Sequence, residues 1–193
     1  GELQPGNLWY SMTLAGIYHQ ENKPDSALLW YEKAVAANQD NDELLVALAR
    51  LYSKNRDYDK ARNILSRLDE KYGVNEETTL PLIETFLAEK KFREAHLKIE
   101  QLLEGDRDNI VFNGYLAEIY KSEGDNQKAR GVYRELIERN PGNPAIQLAL
   151  SDFLLEEKSY EELFDLLNVI IVNERIGRED KLALFSELIE DQE

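Results

Sequence analysis

The 193-residue chain has no cysteine, one methionine, two histidines and five prolines. Without cysteine there is no disulfide framework, no thiolate zinc site and no cysteine nucleophile. Basic side chains are the minority charge, 23 against 38 acidic ones, which leaves a formal charge of −15. A phosphate backbone would be repelled by such a surface rather than gain by counterion release, so nucleic acid is not an expected partner. No apolar run approaches the roughly 18–20 residues that span a bilayer, so membrane insertion is not expected either. The first residue is Gly1 and the only methionine is Met12, as in a processed or truncated product. No basic-then-apolar signal segment is visible. The cut N-terminus and the missing cysteine together lean the expected compartment slightly toward an exported, periplasmic bacterial protein rather than a cytoplasmic one. Apolar residues make up 42 %, enough for a core and too many for a disordered acidic tail.

Catalytic chemistry is equally sparse. Neither His19 nor His96 has a second histidine three or four residues on, so zinc-protease spacing is absent. His96 and Glu100 stand at i, i+4 and read as an exposed helix pair rather than half a metal site. No glycine-rich loop follows a strand pattern and no nucleophile elbow surrounds a serine. The carboxylates read as a solvated face, with no dry pocket to raise one for acid catalysis. We therefore expect no cofactor, no metal and no enzymatic activity.

What is present is a repeat. Ala27, Ala61, Ala95 and Ala129 are each 34 residues apart, and one more step reaches Leu163. Nine residues before each lie Tyr18, Tyr52, Phe86, Tyr120 and Leu154; four before those lie Leu14, Leu48, Leu82, Leu116 and Leu150. Four residues past the small column come Tyr31, Leu65, Ile99, Tyr133 and Leu167. This register divides the chain into a lead at 1–7, five repeats at 8–41, 42–75, 76–109, 110–143 and 144–177, and a final segment at 178–193.

Within a repeat the apolar spacing is helical. Leu44, Leu45, Leu48, Leu51 and Tyr52 follow one helical face, and Ala61, Ile64, Leu65 and Leu68 follow another. Each repeat is therefore two amphipathic helices joined by a tight turn. Asp57 and Asp125 are placed to cap second helices, and Asn41, Asp108 and Asn143 to cap first ones. Pro24 and Pro144 suit a first helical turn, and Gly124 a left-handed C-cap. Pro81 lies inside a helical pattern and predicts a late start or a bend. Ser151 and Leu163, in place of small residues of the columns, predict wider spacing in the fifth repeat. One helix pair cannot bury its apolar face alone, so the repeats must stack. Residues 178–193 read as a capping helix with Leu182, Phe185, Leu188 and Ile189 as its apolar stripe. At the other end Leu8 and Trp9 open the first helix with no polar helix before them, which predicts cover from an upstream repeat in a longer parent.

These columns resemble the tetratricopeptide repeat. That pattern has Leu, small, Tyr, Ala, aromatic and Pro at repeat positions 7, 8, 11, 20, 24 and 32. The fourth repeat carries them as Leu116, Ala117, Tyr120, Ala129, Tyr133 and Pro141. The tryptophan of position 4 is replaced throughout, by Ser11, Leu45, Thr79, Asn113 and Gln147. The resemblance implies an all-α, right-handed α-solenoid of helix–turn–helix repeats with a concave groove lined by first helices. It also implies that repeat positions 2, 5, 9, 12 and 13 face that groove. Those positions include Trp9, Met12 and His19; Glu43, Val46 and Arg50; Glu77, Leu80, Glu84 and Leu87; Gly114, Glu118 and Lys121; and Leu148 and Asp152. Position 5 is an apolar floor, open also to the reading that it only packs first helices together. Position 9 grades from Arg50 to Asp152.

The family's chaperone-tail clamp needs lysine, asparagine and arginine where this chain has Met12, Gly16, Ala47, Glu77 and Pro81. Chaperone C-terminal tails are therefore not expected ligands. Residues 144–193 hold 13 acidic and four basic side chains, so any steering favours a basic partner at that end. The resulting expectation is a protein–protein interaction module or scaffold binding a protein or peptide segment, within a longer protein. The alternative is a regulatory or targeting region of an enzyme whose catalytic domain lies elsewhere.

Overall fold

The computed structural model describes residues 8–21 and 23–190; the side chains of His19, Glu187 and Glu190 are not described. The 1–7 lead and the last three residues of the capping segment lie outside the described residues. The helices are α1 Leu8–Gln20, α2 Pro24–Ala37, α3 Asp42–Lys54, α4 Tyr58–Tyr72, α5 Glu76–Ala88, α6 Phe92–Gly105, α7 Ile110–Glu123, α8 Asn126–Arg139, α9 Pro144–Glu156, α10 Tyr160–Val172 and α11 Arg178–Glu190. Among the described residues there is no strand. Alternate helices begin at Leu8, Asp42, Glu76, Ile110, Pro144 and Arg178, and the chain falls into two compact units, Gly1–Leu102 and Leu103–Glu193.

Small residues let neighbouring helices approach. Ala27, Ala61, Ala95 and Ala129 are all fully buried, as are Ala15, Ala49 and Ser151. In unit 1 one hydrophobic cluster joins Leu48, Ala49, Tyr52, Ala61, Leu65 and Leu82. In unit 2 another runs from Ala117 and Ala129 through Leu150, Phe153 and Leu163 to Leu184 and Leu188. Leu163 stands in the small-residue column of the fifth repeat. Leu163 is itself fully buried there.

The turns inside the second to fifth repeats share one geometry. Arg56, Lys90, Gly124 and Lys158 have φ of 63, 60, 84 and 54°, each in the left-handed region. The next residue's amide reaches back to the aromatic or leucine column: Asp57 N–H donates to the Tyr52 carbonyl, Lys91 to Phe86, Asp125 to Tyr120 and Ser159 to Leu154, at 2.8–2.9 Å. These are Schellman C-caps, which satisfy carbonyls left open at a helix end. Only Gly124 was legible as such, because the other three positions carry a β-carbon.

Position 4 is buried in every repeat. Ser11, Thr79, Asn113 and Gln147 are at most 4 % exposed, and Leu45 is 6 % exposed. Three of the polar replacements, Thr79, Asn113 and Gln147, are hydrogen-bonded to neighbouring loops or helices. Asn113 Nδ2 donates to the carbonyls of Arg107 and Asn109, both at 2.8 Å. Gln147 Nε2 donates to the Pro141 carbonyl at 2.9 Å, and its Oε1 accepts from Asn173 Nδ2 at 2.7 Å. Thr79 Oγ1 donates to Asp69 Oδ1 at 2.5 Å, and Asp69 Oδ2 accepts from Lys98 Nζ at 2.5 Å. A tryptophan would fill this site by bulk; these residues fill it with hydrogen bonds that link repeat to loop.

Several local expectations need correction. Asn109, not Asp108, caps α7, accepting from the amides of Val111 and Phe112. Asp108 turns outward to Arg139 at 3.2 Å instead. Asp57 stands at the cap position of α4, but its carboxylate pairs with Lys60 at 2.8 Å and caps nothing. Pro81 does not delay its helix. Asn75 sets the first turn upstream of it, its side chain accepting from Thr78 N–H at 3.2 Å and its carbonyl from Thr79 N–H at 2.9 Å. In α11 the buried face is Leu184 and Leu188 with Phe185 packed beside them, whereas Leu182 and Ile189 are 54 % and 65 % exposed. Lys181 Nζ donates to the open carbonyls of Ile171 and Asn173 at the end of α10, at 2.8 and 2.9 Å. Lys181, Leu184, Phe185 and Leu188 share one helical face, so that anchor selects the face.

Candidate functional site

In unit 1, α3 and α5 lie alongside each other and open a cleft of about 1050 Å³. Its floor is apolar. Val46 is half-buried and packs on the unit 1 cluster, and Leu80 is only 6 % exposed. The first turns of both helices supply Asp42, Glu43, Glu76 and Glu77 to its lining. Tyr72, from the end of α4, forms a side wall and is 54 % exposed. Its hydroxyl donates to Asp42, and Lys71 Nζ reaches Asp42 at 3.1 Å while lying 4.5 Å from the Tyr72 ring centre. The Tyr72 hydrogen bond first, then Lys71, hold the Asp42 carboxyl below its ordinary value. At the far end Arg50 also lines the cleft, and its Nη1 pairs with Glu84 at 2.8 Å.

A smaller cavity, about 220 Å³, lies in unit 2 and is lined by Gly114, Glu118 and Lys121 of α7, Tyr133 of α8, and Asp152 and Glu156 of α9 among others. Lys121 Nζ bonds Glu156 at 2.5 Å, and this carboxylate raises the ammonium's pKa. The Tyr133 ring packs on Phe153 at 5.2 Å. Burial pushes the Tyr133 phenol up, and Glu156, Glu118 and Asp152 push it further. A β-carbon at Gly114 would stand 3.9 Å from Tyr133 Oη, an ordinary contact distance.

The residues singled out from sequence thus divide. Val46, Arg50 and Leu80 share one cleft, with Glu84 joined through Arg50; Gly114, Glu118, Lys121 and Asp152 share the other cavity. Trp9 is 75 % exposed, Met12 and Leu87 are half-buried, and none of the three lines either cavity. The side chain of His19 lies outside the described residues. Leu148 is partly buried and packs against the unit 2 cluster. The graded charge of position 9 is not a row of independent charges, because Arg50 and Glu84 neutralise each other.

Sequence reasoning missed Tyr72, Asn75, Thr78 and Glu76 on the first cleft and Tyr133 on the second. Tyr72, Asn75 and Glu76 come from the joint between repeats, where no column marks them. Tyr133 stood in a core column, which gave no sign that its hydroxyl reaches a cavity. Among the described residues no group of three or more side chains could hold a metal ion, and no helix is long and apolar enough to cross a membrane.

Antiparallel helix pairs with surface clefts between successive first helices define an all-α helical-repeat solenoid protein. The tetratricopeptide repeat family model matches residues 18–77 and 121–162, more than half of the chain, and the chain belongs to that family. It is 25 % identical over 124 residues to tetratricopeptide repeat protein 21B of Xenopus laevis, a match covering 64 % of this chain and 9 % of that much longer relative. Among solved structures it resembles a tetratricopeptide repeat protein of Parabacteroides merdae, with a TM-score of 0.64 at 16 % identity, covering 98 % of this chain and 73 % of that one. It also resembles TTC0263 of Thermus thermophilus, with a TM-score of 0.60 at 16 % identity over 95 % and 100 % of the two chains. A third likeness is MamA of Desulfovibrio magneticus, at 0.57 and 11 % identity over 87 % and 95 %. Proteins of this family generally mediate protein–protein interaction, and their repeats are typically non-catalytic.

Proposed function

We propose that this chain is a protein-interaction module of a longer protein, made of five repeats at 8–177 and a cap at 178–193, and that it performs no catalysis of its own. It binds a peptide or protein segment on the face formed by the first helices, with Val46, Arg50 and Leu80 as the centre of the site in unit 1. The observation that carries this reading is that these three residues, chosen by repeat position alone, line one cleft of about 1050 Å³ with an apolar floor. A cleft already open in the folded chain costs a partner little ordering of the module. Gly114, Glu118, Lys121 and Asp152 form a separate candidate site within unit 2 on the same grounds.

The test is site-specific photo-crosslinking in extracts of the native organism. A crosslinker at Val46 should capture a discrete partner, and one at Glu94, an exposed residue on α6, should not. Val46→Arg, introduced in a chain crosslinked from Glu43, should abolish the capture while circular dichroism shows the helices intact. Equal capture from Glu94, or capture indifferent to Val46→Arg, removes the reading.

A further inference from the structure

We propose that the cleft of unit 1 takes a partner segment presenting one apolar side chain beside a run of lysine or arginine residues, with the basic run toward the N-terminal ends of α3 and α5. This rests on the reading of the first-helix face as the binding surface and names the chemistry of its occupant.

The argument begins with how the acidic groups of unit 1 are used. Asp42, Asp57, Asp59, Asp69, Glu84 and Glu89 are engaged in ion pairs inside the unit, while Asp25, Asp40, Glu70, Glu94 and Glu100 form none among the described residues and do not line the cleft. Glu43, Glu76 and Glu77 are exposed and make no ion pair or hydrogen bond among the described residues. All three converge on the one cleft. First-turn carboxylates favour their own helix by meeting its positive end, and that accounts for acids on α3 and on α5 separately. It does not account for two such turns opening onto the same apolar floor; of the nearby cations Lys71 is held by Asp42 and Arg50 by Glu84, while Arg67 acts on Asp42 without forming an ion pair with Glu43, Glu76 or Glu77. Like charges gathered without a counter-charge repel one another, and a cation brought by a partner relieves that repulsion.

The cleft also has a direction. Carboxylates crowd the end where α3 and α5 begin, Val46 and Leu80 make the middle, and the Arg50–Glu84 pair closes the other end as a neutral group. An acidic segment would meet repulsion at the first end. A purely apolar one would desolvate the three carboxylates without pairing them, which costs free energy. A basic run beside an apolar anchor satisfies both surfaces at once.

The experiment uses the full 193-residue chain and three short fluorescent Gly-Ser peptides, each with a single leucine flanked on one side by three lysines, three serines or three glutamates. Fluorescence anisotropy should give the order lysine, serine, glutamate, with the lysine peptide bound about tenfold tighter than the serine peptide, as three exposed ion pairs would provide. The variant Glu43→Gln/Glu76→Gln/Glu77→Gln should erase that advantage and leave the serine peptide within about twofold. Val46→Arg should lose all binding. Serine or glutamate peptides bound as tightly as the lysine peptide, or a preference that survives the triple substitution, overturns the inference. If Val46→Arg still abolishes binding in that case, the cleft remains the site and only the charge chemistry has failed. No binding by any peptide overturns the inference, and Val46→Arg without effect on partner capture removes the site as well.

Discussion

Substitutions at the shared left-handed turn should have opposite effects in different repeats. Gly124, at φ 84°, has open space where a β-carbon would go, so Gly124→Ala introduces no clash and reads the backbone alone. A β-carbon in the left-handed region costs about 1–2 kcal/mol, and glycine gives back about 0.4–1 kcal/mol through its freedom in the unfolded chain. The difference makes Gly124→Ala destabilising by about 0.5–1 kcal/mol. Lys158, at φ 54°, and Lys90, at φ 60°, already carry that strain. Both are exposed, and no ion pair is formed by Lys90 among the described residues. Lys90→Gly should therefore stabilise by about the same amount. At a urea m-value of about 2 kcal/mol per molar, the midpoints should move by about 0.25–0.5 M, down for Gly124→Ala and up for Lys90→Gly. Urea titration followed by far-ultraviolet circular dichroism reads this directly. A midpoint lowered by Lys90→Gly, or unmoved by Gly124→Ala, would refute the claim that this turn carries backbone strain.

Three further outcomes are expected. Thr79→Val keeps shape but leaves the buried Asp69 carboxylate with Lys98 as its remaining side-chain partner, and should cost about 1.5–3 kcal/mol in urea unfolding; a cost under about 0.5 kcal/mol would show the network to be incidental. Gln147→Leu removes the bonds to Pro141 and Asn173, and hydrogen exchange should rise in the 140–143 and 173–177 loops while α7 is unaffected. Burial opposes ionisation of Glu89, but Arg62 and Lys91 outweigh it and hold its carboxyl below the ordinary value. A carboxyl lowered on folding stabilises fully above its unfolded value and loses that contribution as pH falls through the lowered one. Glu89→Gln should therefore destabilise at pH 7 and make no difference near pH 2 in thermal unfolding.

The helical repeat and much of its punctuation were determined by sequence alone. Ala27, Ala61, Ala95 and Ala129 recur because two helices meet at each of them and admit no larger side chain. Asn41, Asp125, Asn143, Pro24, Pro144 and Gly124 act where their local chemistry predicts, since a cap involves only the next few amides. Tertiary structure decided whatever depends on a neighbour distant in sequence. Arg50 meets Glu84 across 34 residues, which turns a graded charge into a neutral pair. Lys181 anchors on α10 and so buries Leu184 rather than Leu182. Arg56, Lys90 and Lys158 adopt a glycine's conformation because the helix pair on either side dictates the turn. The unpaired carboxylates of Glu43, Glu76 and Glu77 look in sequence like ordinary first-turn acids. Only the packing of α3 beside α5 brings them to the rim of one apolar cleft.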